Sequence, residues 1–119
     1  MKVAQAIAAA DALCPNPYDA DSKVDWLHDL DGLIYAQIIS THEDAGAAPG
    51  AYDHNADLIV ADPYCTIYAD YLTAMIHMYN GEYEAYTNAM MRYNATYTAF
   101  SNMYNRTHTP KRAIVKTGG

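Results

Sequence analysis

Across the last third of this chain nearly every third or fourth position holds a bulky side chain, and most of these are tyrosine. Tyr79, Tyr83, Tyr86, Met90, Tyr93, Tyr97, Phe100 and Tyr104 follow one another at steps of four and three. That spacing is one face of an α-helix. A helix from Glu82 to about Arg106 would be about 37 Å long at 1.5 Å per residue, and Thr109-Pro110 ends it. A buried seam is usually leucine, which has no polar atom to satisfy. Tyrosine brings a large ring and a hydroxyl that needs a partner or water. A face this rich in tyrosine predicts a partly wet contact surface, as subunit interfaces are; the alternative is a stripe that belongs wholly to the chain's own core. A second apolar edge, Ala89, Met91, Ala95, Ala99 and Met103, runs along the same segment. One long helix with two such edges packs inward on one and against a neighbour on the other. The candidate subunit interface is therefore Tyr83, Tyr86, Met90, Tyr93, Tyr97, Phe100 and Tyr104, with Met91 and Met103 on the second edge.

A chain of 119 residues makes one domain with one modest core. Leu, Ile, Val and Phe are scarce, and Ala, Met and the 12 tyrosines stand in for them. Alanine favours helix and methionine fills irregular gaps, so thin, closely approaching helices are expected. Charge is unevenly placed. Residues 1–84 hold all 14 acidic residues against Lys2 and Lys23, a balance of −12. Residues 85–119 hold Arg92, Arg106, Lys111, Arg112 and Lys116 and no acid, a balance of +5. Such an acidic body argues against general nucleic-acid binding, which needs Lys and Arg on phosphates. The basic end is a candidate docking tail for an acidic partner.

The expected fold is all-α: a small bundle of about four helices, the last one long, with a long loop between the second and third. Lys2 to Leu13 forms a short helix with a weak apolar face, ended by Pro15 and Pro17. Asp21 or Ser22 caps a second helix, whose inner face is Val24, Leu27, Leu30 (or Asp31), Ile34 and Ile38, stopping near His42. Residues 43–57, with Gly46, Pro49 and Gly50, are the clearest loop, of a length that is usually functional or mobile. Leu58 to Val60 is a brief extended stretch. Asp62 and Pro63 are read as the N-cap and first turn of a third helix carrying Ile67, Tyr68, Tyr71, Leu72, Met75, Ile76 and Tyr79. Asn80-Gly81 is read as a tight turn between antiparallel helices. Residues 1–108 form the helical domain, and 109–119 a flexible basic tail.

Signals of catalysis are weak. His42-Glu43 lacks the second histidine four residues on that a helical zinc site needs. Asp29-Leu30-Asp31-Gly32 has its glycine too early for a calcium loop and no ligating glutamate after it. Asp53 and His54 have no evident third ligand. There is no glycine-rich phosphate loop and no nucleophile motif. Cys14 and Cys65 lack metal or redox spacing and read as buried free thiols. No catalytic residue, cofactor or metal is expected. No apolar run approaches the roughly 18 residues of a membrane span. Gln5 and Asp11 interrupt what would be the apolar part of a signal ahead of Cys14, so the chain is expected to stay inside the cell until it assembles.

Three blocks carry a family resemblance: Lys23-x-x-Trp26-Leu27-x-x-Leu30-Asp31-Gly32-x-Ile34-Tyr35; Leu58-Ile59-Val60-Ala61-Asp62-Pro63-Tyr64; and Tyr71-Leu72-x-Ala74-Met75-Ile76-x-Met78-Tyr79-Asn80-Gly81-Glu82-Tyr83, followed by Tyr93-Asn94 and Tyr104-Asn105-Arg106. From about residue 20 to residue 110 the chain resembles the head–tail connector (adaptor) proteins of tailed phages and prophages. That resemblance implies a structural virion protein, not an enzyme. It implies a homo-oligomeric ring, dodecameric in the virion neck, assembled in the host cytoplasm. The ring would bind the portal protein above and a stopper or tail-completion protein below, and double-stranded DNA would pass through it without specific binding. The segment from Thr109 to Gly119, with Arg106, Lys111, Arg112 and Lys116, would be the portal-docking tail. The loop at 43–57 is longer than in the shortest members. The alternatives are a small helical oligomeric module that binds a regulatory protein, and a metal-dependent enzyme using His42, Glu43, Asp53 and His54.

Overall fold

The computed structural model describes residues 1–111 and is all-α. Four helices are present among the described residues: α1 (Val3–Leu13), α2 (Ala20–Gln37), α3 (Thr66–Tyr79) and α4 (Tyr83–Thr107). A single 3-10 turn, Ile39–Thr41, extends α2. None of these helices is long and apolar enough to cross a membrane.

The helix ends show why the chain breaks where it does. Gly81 takes a left-handed conformation, φ +74. Its N–H donates to Met78 O at 3.1 Å, and the N–H of Glu82 donates to His77 O at 2.9 Å. This pair of backward bonds closes α3 and reverses the chain into α4, so Asn80-Gly81 is the turn its composition predicts. The cap of α2 lies two residues earlier than the sequence reading placed it. Asp19, not Asp21 or Ser22, is the N-cap, and its carboxylate accepts the Ser22 N–H at 2.7 Å. Asp62 and Pro63 do not open α3 either. The Tyr64 N–H donates to Ala61 O to make a turn first, and the helix begins at Thr66.

α4 folds back along α3, α1 lies across α3, and α2 packs on both α1 and α3. The thin side chains let the helices close up: Ala6 and Ala10 of α1 and Ala74 of α3 are fully buried. The α2 face is as expected, with Val24, Leu27, Leu30, Ile34 and Ile38 all in the core, and Asp31 there as well. The loop from 43 to 65 is held down along its length. Tyr35 OH donates to Gly46 O at 2.6 Å. The first amides of α1, which no helix can satisfy internally, donate to loop carbonyls: Val3 to Ala56 and Ala4 to His54, each at 3.0 Å. Leu58 and Val60 plug the core from the same loop. The C-terminal segment is tied down where it leaves α4. Glu43 N–H donates to Thr109 O at 2.8 Å and Lys111 N–H to Thr41 O at 2.9 Å. The expected flexible tail therefore does not start at 109; residues 109–111 are part of the folded unit. Arg112 and Lys116 lie outside the described residues.

Candidate functional site

The tyrosine stripe divides into two parts. Tyr93 and Phe100 are buried, at 6% and 4% exposure, and belong to the chain's own core. Tyr71 of α3 lies 5.5 Å from Tyr93, and Tyr64 lies 6.0 Å from Phe100, ring centre to ring centre. As candidate interface residues these two are withdrawn from any neighbour by the folding of their own chain. Met90, Tyr97, Met103 and Tyr104 are half-buried against the same core, and Tyr86 is half-buried near the open end. Tyr79 and Tyr83 stand out at 55% and 70% exposure, and so does Met91 on the second edge, at 66%.

The half-buried rings form a strip on the side of α4 that faces α2 and α3. α2 meets α4 at the Gln37–Tyr97 bond, and α3 packs against both helices. Trp26, Leu33 and Gln37 share one face of α2, at steps of seven and four. Trp26 stacks on Tyr79 with ring centres 5.3 Å apart and planes 11° apart. Gln37 accepts a hydrogen bond from Tyr97 OH, and Leu33 is 43% exposed. Asp29, on the same side, is near enough to Tyr71 that burial and its negative charge together push that phenol up. Burial also pushes Tyr93 up, to about 12. The hydroxyls of Tyr71, Tyr86 and Tyr93 make no side-chain hydrogen bond among the described residues. Thr73 Oγ1 is the one buried side-chain polar atom there without a partner, so those phenol oxygens face water. The strip mixes aromatic rings with Gln37, Asp29 and open phenols, as the excess of tyrosine over leucine requires.

The opposite, outer face of α4 is of another kind. Thr87, Asn88, Met91, Asn94, Ala95, Thr98, Ala99 and Asn102 are exposed along it. Between Glu84 and Arg106 the helix carries a single charge, Arg92, which leans on Asp70 of α3 at 3.4 Å. A solvated helix face ordinarily carries charged side chains, and depletion of charge marks the centre of protein interfaces.

Three polar clusters lie elsewhere, and residue spacing shows none of them. The first is Asp31, fully buried without a cation. Its carboxylate accepts Tyr68 OH at 2.6 Å, Tyr52 OH at 2.5 Å and the Ile59 N–H at 3.1 Å. Burial pushes Asp31 up, against the pull of those three donors, and burial beside it pushes both phenols up. The cluster ties the loop to α2 and α3. The second is Lys23, 3% exposed at its side chain and bonded to Asp11 Oδ1 at 2.8 Å. Burial raises Asp11, but bonds from Lys23 and Asn16 outweigh it and hold the carboxyl below its ordinary range.

The third cluster places a thiol, an imidazole and a carboxylate in series. Cys14 Sγ lies 3.9 Å from His77 Nε2, and His77 Nδ1 lies 3.3 Å from Glu82 Oε1. A nucleophilic cysteine needs its thiolate favoured. Here burial, Glu82 and Asp11 all push Cys14 up, which disfavours the thiolate; the contacts join the end of α1 to the α3–α4 turn. Both cysteines are free thiols; Cys65 is buried as expected, whereas Cys14 is only half-buried. The residues considered for metal go separate ways. His42 is buried with Nδ1 2.7 Å from Ile38 O, His54 faces Asp21 at 3.5 Å, and Asp53 accepts the Asn55 N–H. Among the described residues no group of three or more His, Cys, Asp or Glu is placed to hold a metal ion.

The basic residues also separate. Arg106 is exposed in the last turn of α4, and Lys111 is exposed beside Thr41. Neither makes an ion pair among the described residues. Compared with known proteins, the chain matches no family model, no curated protein and no solved structure.

Proposed function

We propose that this chain is a building block that transforms no substrate: a head–tail connector subunit of a tailed phage, joining a ring beneath the portal and extending the DNA channel. The observation that carries this reading is the pair of unlike open faces on α4. One is the aromatic, partly wet strip, and the other is a long outer face almost without charge. A closed ring is built from heterologous contacts, in which each copy offers two different patches to its neighbours. One rigid helix that bears both patches meets that requirement.

The charge distribution supports the same reading. Asp21, Asp25 and Asp29 stand exposed along one side of α2, and like charges at that spacing cost helix stability instead of adding to it. A conduit for DNA gains from such a surface, because acidic walls do not grip phosphate. In this reading the copies number twelve in the virion neck. Arg112 and Lys116 meet the portal and the opposite rim receives the stopper or tail. Assembly takes place in the host cytoplasm.

Electron microscopy of the chain mixed with the portal ring of the phage or prophage that encodes it tests the proposal. The expected result is a second ring of density stacked under the portal, lost when residues 112–119 are removed. A small dimer with no affinity for the portal would replace this reading with that of a regulatory interaction module.

A further inference from the structure

The two ends of α4 carry charged side chains of opposite sign, and the helix between them keeps them apart. At the start of α4 an open cleft of about 400 Å³ is lined by Glu82, Tyr83, Glu84, Ala85 and Asn88. Tyr83 stands on it at 70% exposure, its ring face free to take a cation. Asn80 and His77 already bond Glu82 and hold its carboxyl below the ordinary range, so it stays ionised. Glu84 makes no ion pair among the described residues. Asp19 is exposed at the same end, and Tyr18, bonded to Asn80 at 2.6 Å, borders it. A helix N-terminus by itself favours an anion, but its dipole amounts to about half a charge and two full carboxylates outweigh it. The other end of α4 carries Arg106 and, beyond it, Lys111. Glu43 and Asp44 lie near that end too.

Glu84 and Arg106 sit on one helix, about 33 Å apart at 1.5 Å per residue, and Lys111 is held at the far end by Thr41. Neither of these cations reaches the cleft of its own chain. We infer that the basic end of α4 in one copy, Arg106 and Lys111, seats on the Glu82–Tyr83–Glu84 cleft of the next copy. This deepens the assembly reading above and rests on it. The contact is head-to-tail, so it uses each end once per copy and propagates around a ring.

Sedimentation of the full-length chain up to about 1 mM tests this contact with two charge reversals, Glu84→Arg and Arg106→Glu, both at exposed positions. Circular dichroism checks that each variant keeps its helices. Wild type is expected to associate reversibly, and about tenfold more weakly when salt rises from about 0.05 to 0.5 M. Each variant alone is expected to lose that association, because the reversal cancels the net charge of its cleft or of its basic end and sets like charges against each other at positions 84 and 106. An equal mixture of the two is expected to regain it, because copies that alternate between the variants meet opposite charges at every junction. A wild type that stays monomeric at low salt overturns the contact. So do single variants that associate like wild type, or a mixture that fails to recover. If the variants still form rings on the portal, this contact falls while the assembly reading stands; if wild type forms none, the assembly reading falls.

Discussion

Asp31 occupies a place in the core that most chains would give to leucine. The helical spacing of α2 leaves Leu30 and Asp31 as rivals for the inner face; both are in fact buried. What decides this is absent from the local sequence, because the three donors that hold Asp31 come from Tyr52, Ile59 and Tyr68, up to 37 residues away. Its folded pKa lies above its unfolded one. Its contribution to stability is therefore fully present below the ordinary aspartate range and is lost as pH rises through the raised value. Asp31→Asn removes that pH-dependent part and sets an amide NH2 against donors. Urea melts at several pH values should show wild type about 1–3 kcal/mol more stable, by a margin that widens as pH falls. Lys23 is the opposite case. Its partner Asp11 is partly exposed and also bonds Asn16, so Lys23→Met leaves no buried charge unpaired. The change in stability should stay within about 1 kcal/mol.

The elements were legible wherever local chemistry acts alone. Pro15 and Pro17 end α1, and Gly81 makes the turn between α3 and α4 because only glycine enters the left-handed region freely. Gly81→Ala meets no steric neighbour, so its cost is conformational, about 1 kcal/mol, readable in thermal melts. The caps of α2 and α3 were harder to place. Asp19, Asp21 and Ser22 are all good caps by type, and Asp62 spends its carboxylate on the Cys65 thiol instead. The period of α4 identifies the tyrosine face, but periodicity does not report how far neighbours cover that face. Coverage comes from Tyr64 and Tyr71, which reach Phe100 and Tyr93 and leave the Tyr83 end open. Tyr93→Ala should therefore cost about 3–5 kcal/mol in denaturant melts. Tyr83→Ala should stay within about 0.5 kcal/mol of wild type.

At the scale of the whole molecule, folding leaves Glu82, Glu84 and Tyr83 at one end, Arg106 and Lys111 beside Glu43 and Asp44 at the other, and a long helix between them with an outer face almost free of charge. The sequence shows the charge asymmetry, because all acids precede residue 85. It does not show that α4 is rigid and keeps the two poles apart, since that depends on α3 packing along it. The aromatic strip was half legible: tyrosine in place of leucine marks it, while its contacts with Trp26 and Gln37 depend on how α2 approaches. These are the features on which the proposed assembly rests. The most direct test of the proposed assembly is the mass, by light scattering, of the full chain mixed with the portal of the phage or prophage that encodes it, compared with a Tyr83→Lys, Met91→Asp variant altered only at exposed positions. Multiple copies of wild type should add to each portal particle, while the variant stays a folded monomer. Wild type that remains monomeric beside the portal, or a variant that adds just as well, would contradict the account.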